Sequence, residues 1–366
     1  MGLSIGIIGL PNVGKSSLFN ALAKEQLAQV ANYPFCTIQP NHAIVPVPDV
    51  RVEQLADLLK LERRIHAAIE FVDIAGLVKG ASQGEGLGNQ FLGHIRDATV
   101  LLHIVRCFED THVVHVSDHL DPRGEIETIN LELILADMQQ LEKKIERLSS
   151  QVKGDKKIIP VMDMAQSIYQ HLSNGKPVSQ YPDQNDEHFT ALVNEMRFLS
   201  AKPIIYVANV DEASLIRDNV YAAEVYALAA EHNAPAVTIC ANLEQELVDM
   251  TEEERKEYLQ IAGVKETGLE QIIHQSFSML SLITFLTMNE EEVRAWMIPK
   301  GTPAPKAAGT IHTDFEKGFI RAEVVPFDTF MKFKSWSGVK SAGLMRLEGK
   351  EYIVQDGDII YFRFNV

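Results

Sequence analysis

Short apolar runs alternate with helical stretches along the first third of the chain. The runs at residues 3–8, 69–74 and 100–105 are rich in Ile, Leu and Val and contain few polar residues. Such runs are typical of strands that are buried on both faces of a parallel sheet. The same pattern returns at residues 203–208 and 236–240. It therefore predicts an α/β domain with a mainly parallel sheet, interrupted in the middle of the chain.

The interrupting segment is predicted to be helical, because its apolar residues recur at alternating spacings of four and three with charges between them. This spacing is that of a coiled-coil seam of about three heptads. A turn is expected at 154–157, a polar loop at 173–187, and a return helix or two within 168–199. Such an arm is typically a spacer or a partner surface. The seam positions are Ile134, Met138, Leu141, Ile145, Leu148 and Val152.

From residue 283 onward, short strands and turns replace the helical pattern. Acidic and basic residues balance in this block, so the whole net charge of −16 lies before it. The block is therefore the part that phosphate repels least, which is a weak indication of RNA contact. Asp356-Gly357-Asp358 predicts a tight turn between the last two strands. The predicted strands are 294–298, 309–311, 319–325, 352–354 and 359–364.

The residues Gly9-Leu10-Pro11-Asn12-Val13-Gly14-Lys15-Ser16 form a complete phosphate-binding loop (P-loop), G-x-x-x-x-G-K-S, directly behind the first apolar run. In such a loop the backbone N–H groups wrap the phosphates, Lys15 reaches the β- and γ-phosphate oxygens, and the Ser16 hydroxyl suits Mg²⁺. A glycine-rich turn without a ligand is the alternative, which the flanking strand and helix disfavour. We assign nucleotide binding to Asn12, Val13, Gly14, Lys15, Ser16 and Ser17, and a catalytic role also to Lys15.

A second motif, Asp73-Ile74-Ala75-Gly76, closes the apolar run at 69–74. In P-loop enzymes an aspartate at this point holds the Mg²⁺ shell, and the glycine N–H meets the γ-phosphate. Thr37 lies between the two motifs, where a threonine can close on Mg²⁺ when triphosphate is bound. The predicted metal ligands are therefore Ser16, Thr37 and Asp73, and Gly76 is a predicted nucleotide contact. A strand-end turn and an ordinary loop threonine are the alternatives.

The base-reading segment is predicted at Asn209-Val210-Asp211-Glu212, after the fourth run. GTPases place N-K-x-D here, and its aspartate accepts from guanine N1 and N2. Because Val210 replaces the lysine and Glu212 the aspartate, the guanine reader is degraded, while Asn209 can still face a purine edge. Cys240-Ala241-Asn242 takes the place of the usual S-A-K turn. We therefore predict an adenine-tolerant pocket that is built from Asn209, Val210, Glu212, Cys240, Ala241 and Asn242.

Composition narrows the class of protein further. The pI near 5.2 argues against nucleic-acid binding over the whole surface but leaves a local basic face open. Three widely spaced cysteines suggest neither a metal site nor a disulfide framework, and a redox role for Cys36 is only one reading of an exposed loop thiol. The sequence has no apolar run of membrane-spanning length and no signal peptide pattern, so we expect a cytoplasmic protein without membrane contact.

Three long motifs together resemble the YchF family, the Obg-related P-loop nucleoside triphosphatases that are also called Obg-like ATPases. The resemblance covers essentially the whole chain, and its motifs occur in the family's order. The first contains Asn32-Tyr33-Pro34-Phe35-Cys36-Thr37-Ile38, the second runs from Asp73 through Lys79-Gly80-Ala81-Ser82-Gln83-Gly84-Glu85-Gly86-Leu87-Gly88-Asn89-Gln90-Phe91, and the third is Ala308-Gly309-Thr310-Ile311-His312-Thr313-Asp314-Phe315-Glu316-Lys317-Gly318-Phe319-Ile320-Arg321-Ala322.

The resemblance implies an α/β P-loop NTPase G domain, an inserted α-helical coiled-coil arm and a C-terminal β-grasp-like TGS domain. With the pattern above, we place the G domain at 1–121 and 201–282, the arm at 122–200 and the TGS domain at 283–366. The resemblance also implies a Mg²⁺-dependent ATPase that prefers ATP over GTP and associates with the ribosome, with RNA contact expected through the arm and TGS domain. We expect a monomer. Asp211 stands near where the family typically has asparagine.

The hydrolytic residues are less evident from the sequence. Leu77 stands where many GTPases have the glutamine that orients water, so slow basal hydrolysis is expected. The resemblance implies a catalytic histidine in the segment 107–117, where His115 matches it by position. His112 is the nearest competitor, and a structural histidine is the alternative. Asn12 helps to coordinate K⁺ in related enzymes, although it can equally be a loop cap. A GTP-specific translation GTPase and a nucleotide-gated binding module with incidental hydrolysis are the competing functions.

Overall fold

The computed structural model describes residues 3–28, 41–74, 87–109, 120–152 and 154–365. Several predicted functional residues lie outside these ranges, and their roles stay predictions. They are Cys36, Thr37, Gly76, Leu77, His112 and His115.

The described residues form two compact units, which we treat separately. One contains Glu70–Ile272 with the N-terminal segment Met1–Lys24, and the other contains Ile273–Val366 together with Ile44–Ile69. The segment 44–69, which sequence analysis placed in the G domain, is thus grouped with the C-terminal sheet.

The strands in chain order are β1 (Ser4–Ile8), β2 (His42–Pro46), β3 (Arg63–Ile65), β4 (Ala68–Asp73), β5 (Val100–Arg106), β6 (Ile204–Asn209), β7 (Ala236–Ile239), β8 (Leu282–Met288), β9 (Glu292–Pro299), β10 (Phe319–Pro326), β11 (Arg346–Glu348) and β12 (Asp358–Phe364). The helices are α1 (Lys15–Ala28), α2 (Val50–Leu59), α3 (Leu87–Asp97), α4 (Pro122–Val152), α5 (Ile159–Ser173), α6 (Glu187–Met196), α7 (Val220–Glu231), α8 (Ala241–Val248), α9 (Glu252–Ala262), α10 (Gly268–Met279), α11 (Ala304–Ile311), α12 (Thr313–Lys317), α13 (Phe327–Phe333) and α14 (Trp336–Ser341). No helix in this part of the chain has the length and apolar character that crossing a membrane requires.

The first sheet has the strand order β2-β4-β1-β5-β6-β7. Strand β1 pairs in parallel with β4 and with β5, so that Ile7 lies opposite Asp73 and Ile8 opposite His103. Strand β6 pairs in parallel with β5 and β7. The predicted parallel sheet is therefore confirmed. Because the carboxyl ends of parallel strands meet at one edge, the residues after β1, β4 and β6 come together there.

The long helix α4 links the sheet to the arm. Its first half buries Ile129 and Leu133 in a cluster with Ile8 and Leu101 of the sheet. Its second half packs the predicted seam, including Leu141 and Leu148, against apolar residues of α5 and α6. The arm is thus a set of packed helices whose return begins at Ile159, earlier than the apolar spacing predicted.

A buried carboxylate fixes the end of the arm to α4. Asp137 Oδ1 accepts from the Leu199 N–H at 2.8 Å, and Oδ2 accepts from the N–H and hydroxyl of Ser200 at 2.8 and 2.7 Å. Burial raises the pKa of Asp137 to about 6, although these hydrogen bonds oppose the shift. The return chain is therefore held by hydrogen bonds as well as by apolar packing.

The second sheet has the order β11-β10-β12-β8-β9-β3. Strand β3 is parallel to β9, although it comes from the N-terminal half of the chain. Arg51, at the start of α2, binds Asp49 and Asp356 at 2.8 Å and also donates to Thr284. These bonds connect the 44–69 segment to the turn at Asp356 and to strand β8. They are consistent with its grouping in this unit.

Two predicted strands in the C-terminal block were wrong. Residues 309–311 end helix α11, where Ala304, Ala307 and Ala308 are buried in the core. Residues 352–354 form no strand, and Ile353 makes only an isolated bridge to Pro303. Small apolar residues at helical spacing outweigh the β-branched pair at 310–311, because tertiary burial overrides short-range propensity. The predicted turn at 356–357 is present.

Candidate functional site

The P-loop joins β1 to α1 and has the backbone that its glycines require. Gly14 has a φ of 103°, in a region that L side chains rarely adopt. A Cβ at this position would also collide with the side-chain amide of Asn209. The loop can therefore approach β6 closely only because residue 14 lacks a side chain.

Lys15 is nearly buried at the floor of this loop. It is 9% exposed, and its Nζ donates to the Leu10 carbonyl at 2.6 Å. Burial lowers the pKa of Lys15 to about 8, against the opposing charges of Asp73 and Glu125. A buried ammonium group has lost its hydration, so an anionic ligand such as a phosphate stabilises its charged form by pairing with it.

Asp73 ends strand β4 beside Lys15. Burial raises the pKa of its carboxyl, while the charge of Lys15 acts in the opposite direction. Its Oδ1 is buried and has no hydrogen-bond partner among the described residues. An orphaned carboxylate oxygen is a suitable donor for a hard cation such as Mg²⁺, which commonly takes one or two protein ligands and completes its shell with water and phosphate. The geometry therefore fits the predicted metal role of Asp73.

A cavity of about 610 Å³ opens above the P-loop, within the first unit. This volume lies in the range of small-molecule sites. Its lining comes from the P-loop, the ends of β5 and β6, and the start of α8. The lining residues are Asn12, Gly14, Lys15, Ser16, Ser17, Phe108, Glu109, Asn209, Val210, Asp211, Glu212, Cys240, Asn242, Leu243 and Glu246. Most of the predicted nucleotide contacts are thus brought together, whereas Val13 and Ala241 lie buried behind the surface.

Asn209 does not point freely into this cavity. It is 4% exposed, its Nδ2 donates to the Val13 carbonyl at 2.9 Å, and its Oδ1 accepts from the Ala241 N–H at 3.0 Å. The side chain therefore connects the P-loop to the turn before α8 through these two hydrogen bonds. Asn209 also borders the cavity, so the contact with a purine edge that the sequence indicates stays a prediction beside this connecting role.

Val210 also has a structural environment. Its side chain is buried in a cluster with Tyr206, Ala208 and Val225, and its N–H donates to the Ile239 carbonyl at 2.8 Å. Val210 also borders the cavity. Its contact with a bound base therefore stays a prediction.

Glu212 is exposed at the rim of the cavity, and its carboxylate accepts a hydrogen bond from the hydroxyl of Tyr258 on α9. The neighbouring Asp211 has a structural role. Its Oδ1 accepts from the Ser214 N–H at 2.9 Å and so caps a short 3-10 helix. Both acidic residues border the cavity, but only Asp211 is engaged as a helix cap.

Cys240 and Cys107 lie close to the cavity and are both buried. Burial raises the pKa of each thiol. A thiol whose pKa is raised holds little thiolate, so these two cysteines are poor nucleophiles at neutral pH. Cys240 thus contributes surface to the predicted base pocket rather than reactivity.

Several lining residues were missed by sequence analysis. Phe108 and Glu109 follow β5, and Glu246 lies on α8 one turn after Asn242. The guanidinium of Arg106 lies 4.9 Å from the ring centre of Phe108 and donates to its carbonyl. The rule that parallel strands end at the same edge would have pointed to Phe108, but no motif marks it. Tyr258 could not have been found, since it lies far from Glu212 in the sequence.

Comparison with family models gives two matches. The model YchF-GTPase_C, described as "Protein of unknown function (DUF933)", matches residues 282–365. The model MMR_HSR1, described as "50S ribosome-binding GTPase", matches residues 4–162.

Similar proteins match along the whole chain. "Ribosome-binding ATPase YchF" of Haemophilus ducreyi is 48% identical, with 100% of both chains covered. The protein of the same name from Bacillus subtilis is 47% identical, again with 100% of both covered. Among solved structures, the Schizosaccharomyces pombe YchF GTPase has a TM-score of 0.89 at 35% identity, covering 99% of this chain and 98% of that one. A GTP binding protein from Pyrococcus horikoshii has a TM-score of 0.58 at 19% identity and shares the fold. The chain therefore belongs to the YchF family.

Proposed function

We propose that this protein is a slow, Mg²⁺-dependent nucleoside triphosphatase that prefers ATP to GTP and acts as a nucleotide-dependent switch on the ribosome. The observation that carries the proposal is the cavity above the P-loop, with Lys15 buried at its floor and Asp73 beside it. The relatives named as ribosome-binding ATPases support both the hydrolysis and the partner. That partner would make the protein cytoplasmic.

Different residues of the cavity would bind the phosphates and the Mg²⁺ of the triphosphate. The N–H groups at the start of α1 and of the P-loop bind the phosphate oxygens, where the helix dipole also favours negative charge. Lys15 leaves the Leu10 carbonyl and contacts the β- and γ-phosphates. Ser16, Asp73 and the predicted ligand Thr37 would hold Mg²⁺, which neutralises charge on the phosphates when it is bound.

Hydrolysis is proposed to be slow because Leu77 stands where many GTPases have the glutamine that orients the attacking water. We assign water positioning to His115 and charge support to K⁺ held near Asn12, which has a left-handed φ of 63°. His115→Ala should lower turnover while ATP affinity stays near that of the wild type. Turnover should be higher in K⁺ than in Na⁺ buffer, and equal rates would remove the K⁺ part of the proposal.

Ribosome association is proposed to use the arm and the TGS domain, as a monomer. Lys15→Ala tests it, because the switch requires nucleotide. We expect this variant to lose ATP hydrolysis and ATP-dependent co-sedimentation with ribosomes. Lys24→Ala is the matched control, since Lys24 lies on the same helix but pairs with Asp249 at 2.7 Å, away from the cavity. Undiminished, ATP-independent ribosome binding by Lys15→Ala would favour a plain scaffold.

A GTP-specific function is the second candidate. It is favoured by the carboxylate of Glu212 at the rim, and the Schizosaccharomyces pombe relative is titled a GTPase. We place it second because Val210 replaces the lysine of the guanine reader and is buried in the cavity floor.

A further inference from the structure

The contact between Tyr258 and Glu212 links helix α9 to the base end of the cavity. Glu212 lies at the cavity rim, and its Oε1 accepts from the hydroxyl of Tyr258. The ring of Tyr258 packs with Leu243 and Cys240, which also border the cavity. Tyr258, which no sequence motif marks, is therefore bonded to a side chain of the predicted base pocket.

Helix α9 is a firm support for this hydroxyl. Its N-terminus carries a complete capping box, in which Thr251 and Glu254 satisfy each other's backbone N–H groups. The helix α8 that forms the neighbouring wall is held to α1 by bonds from Gln245 to the Ser17 carbonyl and from Lys24 to Asp249, at 2.7 Å each. These contacts hold α8 in place without Tyr258, so removal of the Tyr258 hydroxyl should leave this wall of the cavity intact.

We propose that Tyr258 is a positioning residue for base selection, which holds one oxygen of Glu212 and so prevents this carboxylate from receiving guanine. The inference rests on the proposed ATP preference and adds the device that rejects GTP. Tyr258 need not touch the nucleotide, because it acts through Glu212.

The two purines differ in the hydrogen-bond donors that they present to a carboxylate. Guanine presents two adjacent donors, N1–H and N2–H, which match both oxygens of one carboxylate. Adenine presents only the N6 amine as a donor on the corresponding edge, so one free oxygen suffices. The bond from Tyr258 fixes the direction of the carboxylate and takes one lone-pair site of Oε1. Adenine needs only one oxygen, whereas guanine needs both oxygens turned towards it, which this fixed orientation opposes. An unpaired polar group at a desolvated contact is the most effective source of discrimination between similar ligands.

The hydroxyl remains a donor under ordinary conditions. Its bond to Glu212 and the nearby negative charges raise the pKa of Tyr258 to about 12. The phenol therefore keeps its proton at neutral pH and continues to occupy the carboxylate.

Tyr258→Phe tests the proposal, because phenylalanine keeps the packed ring and removes only the hydroxyl. Affinities of ATP and GTP would be measured by calorimetry with Mg²⁺ present, on the full chain. We expect the ratio of the GTP to the ATP dissociation constant to fall about fivefold, mainly through tighter GTP binding, as expected for one hydrogen bond. Tyr226→Phe is the control, since its hydroxyl bonds Thr238 at 3.2 Å and its loss should leave the ratio unchanged.

Glu212→Asp removes the same hydrogen bond by changing its acceptor, because the shorter side chain lies farther from Tyr258. It also restores the aspartate of the guanine reader, so the ratio of this single variant does not test Tyr258. The test is the double variant, in which Tyr258→Phe should change the ratio little once Glu212→Asp is present, and an undiminished further change would contradict the proposal.

The outcomes separate the two proposals. If the wild type prefers ATP but Tyr258→Phe keeps its ratio, or weakens both nucleotides equally, the role of Tyr258 is refuted and the ATPase proposal stands. If the wild type shows no preference for ATP, the proposed function itself fails.

Discussion

Replacing Asn209 with alanine distinguishes a connecting role from a base-reading role. The wild-type side chain donates to the Val13 carbonyl and accepts from the Ala241 N–H, and both of those residues are buried. Alanine removes both hydrogen bonds and leaves a buried carbonyl and a buried N–H without their partner.

The expected cost follows from those two groups. A neutral hydrogen bond contributes about 1 kcal/mol net, and an unsatisfied buried polar group costs about 1–3 kcal/mol. We therefore expect Asn209→Ala to lower the free energy of unfolding by about 3 kcal/mol without any nucleotide. Because the P-loop also loses its tie to the turn before α8, ATP and GTP should both bind at least about tenfold more weakly, by similar factors.

Urea unfolding without nucleotide and calorimetric titration with ATP and GTP measure these two effects. Asn242→Ala is the matched control, because Asn242 lines the same cavity but is exposed. Its unfolding free energy should stay within about 0.5 kcal/mol of the wild-type value, as for other surface substitutions. The reasoning is refuted if Asn209→Ala unfolds like the wild type and loses affinity for only one of the two purines.

Three further predictions concern the phosphate end and the arm. The pKa of Lys15 is lowered to about 8, and a bound phosphate favours the charged form of its amine, so ATP binding should take up protons at about pH 8.5 but hardly at about pH 7. Calorimetry in two buffers of different ionisation heat measures this proton uptake. Equal uptake at both pH values would contradict the prediction. Gly14→Ala should weaken ATP binding at least about tenfold, because its Cβ meets Asn209 and its φ is 103°, whereas Gly93→Ala, with open space around it, should bind normally. Asp137→Ala should lower the unfolding free energy by about 3 kcal/mol in urea by removing three hydrogen bonds, and a loss below about 1 kcal/mol would mean that the arm is held by apolar packing alone.

The sequence predicted the parts of the fold that rest on local signals. The parallel strands are continuous apolar runs, and the P-loop motif fixes a strand before it and a helix after it, so β1, α1 and the neighbouring strands were found. The seam of α4 was equally visible, because its helical period extends over several turns.

The parts that failed depend on contacts between distant residues. Strand β3 is only Arg63–Ile65 and carries no alternation, so nothing local revealed that it pairs with β9. The two hydrogen bonds of Asn209 are made to distant loops, so its place in the motif did not reveal them. The Tyr258 contact with Glu212 spans 46 residues and has no sequence signature.

The measurement that tests the central claim most directly is the side-by-side binding of ATP and GTP by calorimetry, on the wild-type chain with Mg²⁺ present. We expect clearly tighter binding of ATP, and we expect Lys15→Ala to bind neither nucleotide. Equal or tighter binding of GTP would contradict it, because the carboxylate of Glu212 would then receive guanine in spite of Tyr258, and the GTPase function would replace the one proposed.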